Sequence, residues 1–380
     1  MDKVRLGIIG CGAGASALYG DFFQHLEKGE LVACMDVVKD NAEKLAAQTG
    51  AKKVYTEFEP LLEDNEIDAV IIITPTNLHA NQVVKAAQAK KHIYCEKPMT
   101  TTIDEADRMI AACKENNVKL QIAFMKRFNK SFHLVKQILD EGRLGDIFEL
   151  RAIWDNARTQ TSAQANYRHR LVSGGGYLQE DGSHPVDVCR WFMGDVTEVT
   201  GHVMMVAANR FENDDVDLVV MKHKNGGMSS LHITMLTHRR GVESYEIFGT
   251  KGTLLMEWQF HSTHSLEPAL IYIYEKSVKK QDVTLSTSWN PHEELIQNWQ
   301  YLNELRYFCD CISNDKEPEI SGKEGRAIVE ILNAAYISSW VGKTIKLPLN
   351  RSPDFKQIFT ELKKRSTWQI PDEGTWWSRY

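Results

Sequence analysis

The feature that most constrains this chain is a glycine-rich turn between a short apolar run and a helix-like stretch. Val4–Ile9 is followed by Gly10-Cys11-Gly12-Ala13-Gly14-Ala15. The pattern is G-x-G-x-x-A. Its glycines permit a tight turn and let backbone approach a pyrophosphate, while a helix start supplies N–H groups. Further short β-branched runs follow at Leu31–Val37, Ala69–Ile73, His92–Cys95 and Leu120–Phe124. Continuous apolar runs of this kind predict parallel strands buried on both faces. Helical patterns lie between them. Asp40–Glu43 reads as a capping box for a helix ending near Gly50, and Asn77–Ala89 and Asp104–Asn116 carry helical apolar spacing. Strands alternating with helices predict an α/β domain with a parallel sheet and right-handed crossovers.

The pattern changes after residue 126. A helix over Ser131–Glu141 leads to an extended stretch, Asp146–Trp154. Strand-like segments follow at Glu198–Val206, Asp215–Lys224, Gly227–Thr237, Glu243–Gly249 and Thr253–Gln259, with Asn225-Gly226 as a hairpin signal. Helical patterns return at Glu293–Ile312 and Lys323–Trp340. The expected organisation is a dinucleotide-binding domain over 1–125, an α/β domain with a large open, mostly antiparallel sheet over 126–350, and a tail over 351–380. The tail holds Trp368, Trp376 and Trp377 and shows little periodicity.

Composition narrows the function class. Charged residues make up 25% and the net charge is −6, with no basic stripe, which argues against nucleic acid as a partner. No apolar run approaches the roughly 18 residues of a membrane span. The N-terminus enters a strand directly, with no signal-peptide pattern, so the cytoplasm is the expected compartment. The 7 cysteines are scattered, as suits reduced thiols. Cys309-x-Cys311 has no second pair to support it, and no metal site is expected.

Several residues carry candidate chemistry. Asp36 ends the second predicted strand, where a carboxylate binds an adenosine ribose diol and repels a 2′-phosphate. Val37, Val38 and Lys39 follow it and no arginine does, which favours NAD over NADP. Thr74, Pro75 and Asn77 bring small polar groups and a helix cap beside the expected dinucleotide path. Lys97, in Cys95-Glu96-Lys97-Pro98, stands at a carboxyl strand end, where α/β sheets bind ligands. Desolvation and a neighbouring positive charge would both lower its proton affinity. A second cluster, Gly174-Gly-Gly-Tyr177 to Asp187, holds Glu180, Asp181 and His184. Glu180 and His184 would share a face if the stretch is helical. The histidine suits proton removal from an alcohol, with a carboxylate to orient it. A purely structural histidine stays open at this point.

Taken in order, these motifs resemble the Gfo/Idh/MocA oxidoreductases. The resemblance rests on Gly7-Ile-Ile-Gly-Cys-Gly, Thr74-Pro75…His79, Glu96-Lys97-Pro98, Gly174-Gly-Gly…His184-x-x-Asp187 and Gly249-Thr-Lys-Gly252. Asn314–Pro318 with Ser321-Gly322 adds to it, and it covers about residues 3–347. The resemblance implies a Rossmann domain and a second domain whose open sheet often forms the oligomer interface, hence a homo-oligomer. It implies Lys97 as the catalytic lysine, His184 as the proton-transfer residue, and His79, Glu96 and Arg127 near the cofactor. The family often has aspartate where Glu180 stands, so the third member of the site is Glu180 or Asp181. Trp154, Asn156 and Tyr167, with Arg168 and Arg170, are candidate sugar contacts, alongside Lys97, Arg127, Asp181 and His184. The expected activity is NAD-dependent oxidation of a secondary hydroxyl, C3 of a free or glycosidic glucose unit. The alternatives are an inositol or other cyclic polyol dehydrogenase, and a non-catalytic sugar- and NAD-sensing protein.

Overall fold

The computed structural model describes residues 3–20, 22–155, 175–237, 241–259, 269–275, 279–284 and 299–368. The chain divides into two compact units: Met1–Asn129 with Asn290–Ala327, and Lys130–Trp289 with Ile328–Tyr380.

The first unit is built on six strands: β1 Val4–Ile9, β2 Gly29–Met35, β3 Lys53–Tyr55, β4 Ala69–Ile72, β5 His92–Glu96 and β6 Leu120–Ala123. They run parallel in the order β3-β2-β1-β4-β5-β6. The strand order reverses at β1 and β4, where doubly wound sheets bind ligands beyond their carboxyl ends. Five helices connect the strands: α1 Ala13–Tyr19, α2 Lys39–Thr49, α3 Phe58–Glu63, α4 Thr76–Gln88 and α5 Ile103–Asn116. β3 and α3 escape a sequence reading because neither is long enough for apolar periodicity to show.

Two helix starts differ from expectation. α2 opens at Lys39 with Val38 as its cap and no side-chain bond, so Asp40 and Glu43 form no capping box. Asp36 fixes the approach to this helix instead, its Oδ1 accepting the Val38 N–H at 2.8 Å. A true Thr-x-x-Glu start opens α5, where Thr102 accepts the Glu105 N–H at 3.3 Å. At the far end of α2, Gly50 takes the left-handed conformation that closes the helix, as expected.

The helix Trp299–Ser313 belongs to the first unit despite its distance along the chain. Leu302, Leu305, Phe308, Cys309 and Ile312 recur at helical spacing and pack in one core with Leu6, Ile8, Tyr19 and Leu31. Burying each such large side chain contributes roughly 1.5–3 kcal/mol, enough to bind this helix firmly into the unit.

The second unit carries nine strands: β7 Ile147–Asp155, β8 Val196–Met204, β9 Val216–His223, β10 Met228–Thr234, β11 Val242–Gly249, β12 Gly252–Gln259, β13 Leu270–Glu275, β14 Lys279–Asp282 and β15 Ile345–Lys346. Their order is β14-β13-β12-β11-β7-β10-β9-β8-β15, an open sheet. Every pairing is antiparallel except β7 with β10. Asn225-Gly226 turns β9 into β10, with the Gly227 N–H donating to Asn225 Oδ1. Side chains alternate along β9: Val219 and Met221 are buried, while Val220 is exposed on the other face, where the register also places Met204 and Met228. Beyond the sheet, the tail holds a helix the sequence did not announce, Phe355–Arg365, capped by Asp354. Among the described residues no helix is long and apolar enough to cross a membrane.

Candidate functional site

In the first unit the predicted residues gather at the carboxyl ends of the strands. Gly10 follows β1 with φ +91, and a Cβ there would lie 2.8 Å from the Ile73 carbonyl oxygen. Only glycine fits that position. Gly12 and Gly14 have open space where a Cβ would stand, so the turn that leads into Ala13 and Ala15 presents bare backbone. Asp36 follows β2 and its Oδ2 accepts the Cys11 N–H at 2.7 Å. One carboxylate thereby ties the glycine turn to the end of β2. These features fit a dinucleotide: a backbone cradle for phosphates and a fixed carboxylate for a ribose diol.

Thr74 and Pro75 follow β4. Pro75 is the cap of α4 and contributes no side-chain bond, so this is no side-chain cap, and Asn77 lies within the helix. The Thr74 hydroxyl hydrogen-bonds Gln82 on the same helix. His79 is buried in α4. Its Nε2 lies 2.8 Å from Thr74 O and its Nδ1 lies 3.0 Å from Pro98 O. The ring therefore links the turn after β4 to the turn that carries Lys97.

Lys97 comes immediately after β5. Its backbone N–H donates to Glu96 Oε2 at 3.0 Å. The other oxygen of Glu96 accepts the Tyr19 hydroxyl from α1. Tyr19 lies 3.3 Å from the Tyr94 hydroxyl, which donates to Glu304 at 2.7 Å. Burial holds the Glu96 carboxyl above its ordinary range, against the pull of the Tyr19 hydrogen bond and of Lys97. Glu96 thus points inward and shapes the turn from which Lys97 projects. Sequence reading placed Glu96 here but missed Tyr19, Tyr94 and Glu304. Tyrosines in apolar segments read as packing, and their polar partners emerge only in three dimensions. Arg127 is mostly buried and pairs with Glu324 at 3.2 Å.

In the second unit, Glu180 and His184 do not share one helix. Tyr177–Glu180 is a short helix, and a second, Ser183–Met193, carries His184. The break falls at Asp181 and Gly182, and a Cβ on Gly182 would stand 2.4 Å from Leu178 O. Glu180, Asp181, His184 and Asp187 are nevertheless all buried. Trp154 at the end of β7 stacks on His184, centroids 5.8 Å apart and rings 18° from parallel. The candidate sugar residue Trp154 is thus a wall for the histidine ring. Asn156, Tyr167, Arg168 and Arg170 lie outside the described residues.

A parallel-sheet dinucleotide unit with a lysine at a strand end, joined to an open-sheet unit bearing a buried histidine, defines a class of nicotinamide-dependent oxidoreductase. Comparison with known families makes the assignment specific. Residues 4–124 match the model described as oxidoreductase family, NAD-binding Rossmann fold, and residues 132–255 match the GFO/IDH/MocA C-terminal domain. The chain belongs to the Gfo/Idh/MocA family and is an NAD(P)-dependent oxidoreductase. It is 27% identical to myo-inositol 2-dehydrogenase of Thermotoga maritima, over 90% of this chain and 98% of the relative. It is 26% identical to scyllo-inositol 2-dehydrogenase (NAD(+)) of Bacillus subtilis, over 92% of this chain and 98% of the relative. Its fold is shared with levoglucosan dehydrogenase in complex with NADH and levoglucosan, at a TM-score of 0.81 and 22% identity, over 91% of this chain and 100% of that one.

Proposed function

We propose that this protein oxidises a secondary hydroxyl of a sugar or polyol with NAD, the C3 hydroxyl of a free or glycosidic glucose unit being the leading candidate. The observation that carries the reading is Lys97 at the carboxyl end of β5, its turn braced by Glu96 and His79, in the unit that holds the glycine turn and Asp36. When bound, the nicotinamide supplies the hydride acceptor. The chain's own residues do the rest. Lys97 holds the reacting hydroxyl oxygen and offsets the negative charge that develops there. His184, stacked on Trp154, takes the hydroxyl proton, and Glu180 or Asp181 orients the imidazole. Asp36 favours NAD, since its carboxylate would repel a 2′-phosphate. The exposed apolar residues Met204, Val220 and Met228 on one face of the open sheet support a homo-oligomer, which light scattering would test.

A second reading, a cyclic polyol dehydrogenase, is favoured by the names of the two inositol relatives. One experiment separates the readings. Purified protein is given NAD⁺ with methyl β-glucoside, glucose, myo-inositol and scyllo-inositol, and products are read by mass spectrometry. A 3-oxo glucoside supports the leading candidate, and an oxo-inositol alone moves the assignment to the polyol reading. NAD binding without product from any of the four, or from other polyols, would leave a sensing role.

A further inference from the structure

The segment that leads into Glu180, Asp181 and His184 is held from far along the chain. The Leu178 N–H donates to Asp214 Oδ2 at 2.7 Å. The Tyr336 hydroxyl donates to Asp214 Oδ1 at 2.8 Å and accepts the Gln179 N–H at 3.3 Å. Asn213 Nδ2 donates to Gly175 O at 2.8 Å. Gly176 presses so closely on this group that a Cβ there would lie 1.4 Å from Asp214 Oδ1. Asp214, Asn213 and Tyr336 are fully buried, so these bonds are shielded from competing water.

We propose that Asp214 and Tyr336 are positioning residues for the reaction: they clamp residues 175–179 and thereby set where Glu180, Asp181 and His184 stand. The proposal rests on the reading of His184 as the proton acceptor. A four-residue helix cannot hold its own geometry, because each of its first N–H groups lacks an intrahelical partner. Asp214 and Tyr336 satisfy two of those groups. Burial raises the Asp214 carboxyl against the pull of the Leu178 N–H and the Tyr336 hydroxyl, and burial with the charge of Asp214 pushes Asp217 well above the usual carboxylate range.

The test uses Tyr336→Phe, Asp214→Ala and Asp214→Asn in the full chain, with turnover expressed per NAD-binding site so that misfolded protein is not counted. Misplacing catalytic groups by about 1 Å costs on the order of 100-fold in rate. Asp214→Ala is therefore expected to lose about 100-fold in kcat and Tyr336→Phe about 10-fold, with NAD affinity unchanged. Asp214→Asn keeps an oxygen for the Leu178 N–H and should recover most of the loss. Amide hydrogen exchange gives an arm independent of activity: residues 178–187 should lose protection in Tyr336→Phe while β9 and β10 keep theirs. Wild-type kcat per site in both Asp214→Ala and Tyr336→Phe overturns the proposal, and so does unchanged protection of 178–187. Should Asp214→Ala not fold, Tyr336→Phe decides. If the wild type oxidises none of the four test compounds, the dehydrogenase reading fails, and the exchange result alone judges the clamp.

Discussion

The two units hold their candidate residues in different ways. In the first, a parallel sheet sets the carboxyl ends of β1, β2, β4 and β5 along one edge, so topology alone collects the glycine turn, Asp36, Thr74 and Lys97. The braces nearest the glycine turn and the Lys97 turn are short-range, Asp36 to Cys11 spanning 25 positions and His79 to Pro98 spanning 19, while Tyr19 reaches Glu96 across 77. In the second, an antiparallel sheet offers no such edge. Glu180 and His184 sit on two short helices whose lead-in is pinned by Asp214, 36 positions from Leu178, and by Tyr336, 157 positions from Gln179. A site gathered by topology can be read from motifs. A site held by long-range clamps has residues near in sequence whose geometry is decided elsewhere.

Four measurements would break or sharpen this contrast. The largest effect is expected at Lys97. Lys97→Ala should lower kcat by about 10³- to 10⁴-fold, since charge stabilisation and proton transfer both suffer. NAD affinity, measured by calorimetry, should stay within about threefold. A comparable loss of NAD binding would mean that Lys97 belongs to the cofactor cradle and not to the chemistry.

The second concerns the buried acids of the second unit. Burial lifts Asp215 to about 7, although the Val206 and Ala207 N–H groups bond it. A raised carboxyl binds its proton more tightly in the folded state. Its contribution is therefore fully present below the unfolded value near 4 and is lost as pH climbs toward 7. Stability should fall by up to ~4 kcal/mol across that window through this group. Asp215→Asn should flatten that part of the profile in thermal melts at pH 4 to 8. Parallel profiles for the two proteins would refute the assignment.

Third, Asp36→Ala should weaken NADH binding by about 10- to 30-fold in fluorescence titrations and narrow the preference over NADPH. An unchanged preference would show that selectivity lies outside this carboxylate. The smallest effect belongs to a purely local brace. Thr102→Ala removes the cap of α5 and should cost about 1 kcal/mol in thermal stability without touching kcat.

What could be read in advance follows the same division. The glycine turn, the five apolar runs and Lys97 before proline were all legible, because each is a local pattern tied to a local conformation. The failures were of two kinds. Asp40–Glu43 has the letters of a capping box, yet α2 takes Val38 as its cap, two residues before Asp40, and Asp36 governs its approach. Glu180 and His184 have the spacing of one helix face, but Gly182 packs tightly against Leu178 and the helix is broken there. In both cases the spacing was right, but contacts close in sequence, Val38 to Asp36 and Gly182 to Leu178, go with another local geometry. The helix Phe355–Arg365 shows the reverse: Ile358, Phe359 and Leu362 are too few for a clear period, and burial against the rest of its unit makes the element.

By itself, then, the sequence determined the parallel-sheet unit, the turn that only glycine can make at Gly10, and the place of Lys97 at the end of a strand. These depend on backbone freedom and on apolar runs, which act over a few residues. The tertiary structure alone decided that the helix Trp299–Ser313 completes the first core, that Glu96 turns inward to Tyr19, and that Asp214 and Tyr336 hold the segment before His184. Each of these satisfies a buried polar group or an apolar face with a partner far along the chain. Burial penalises an unpaired group wherever its partner lies, so sequence distance carries no information about which partner answers it.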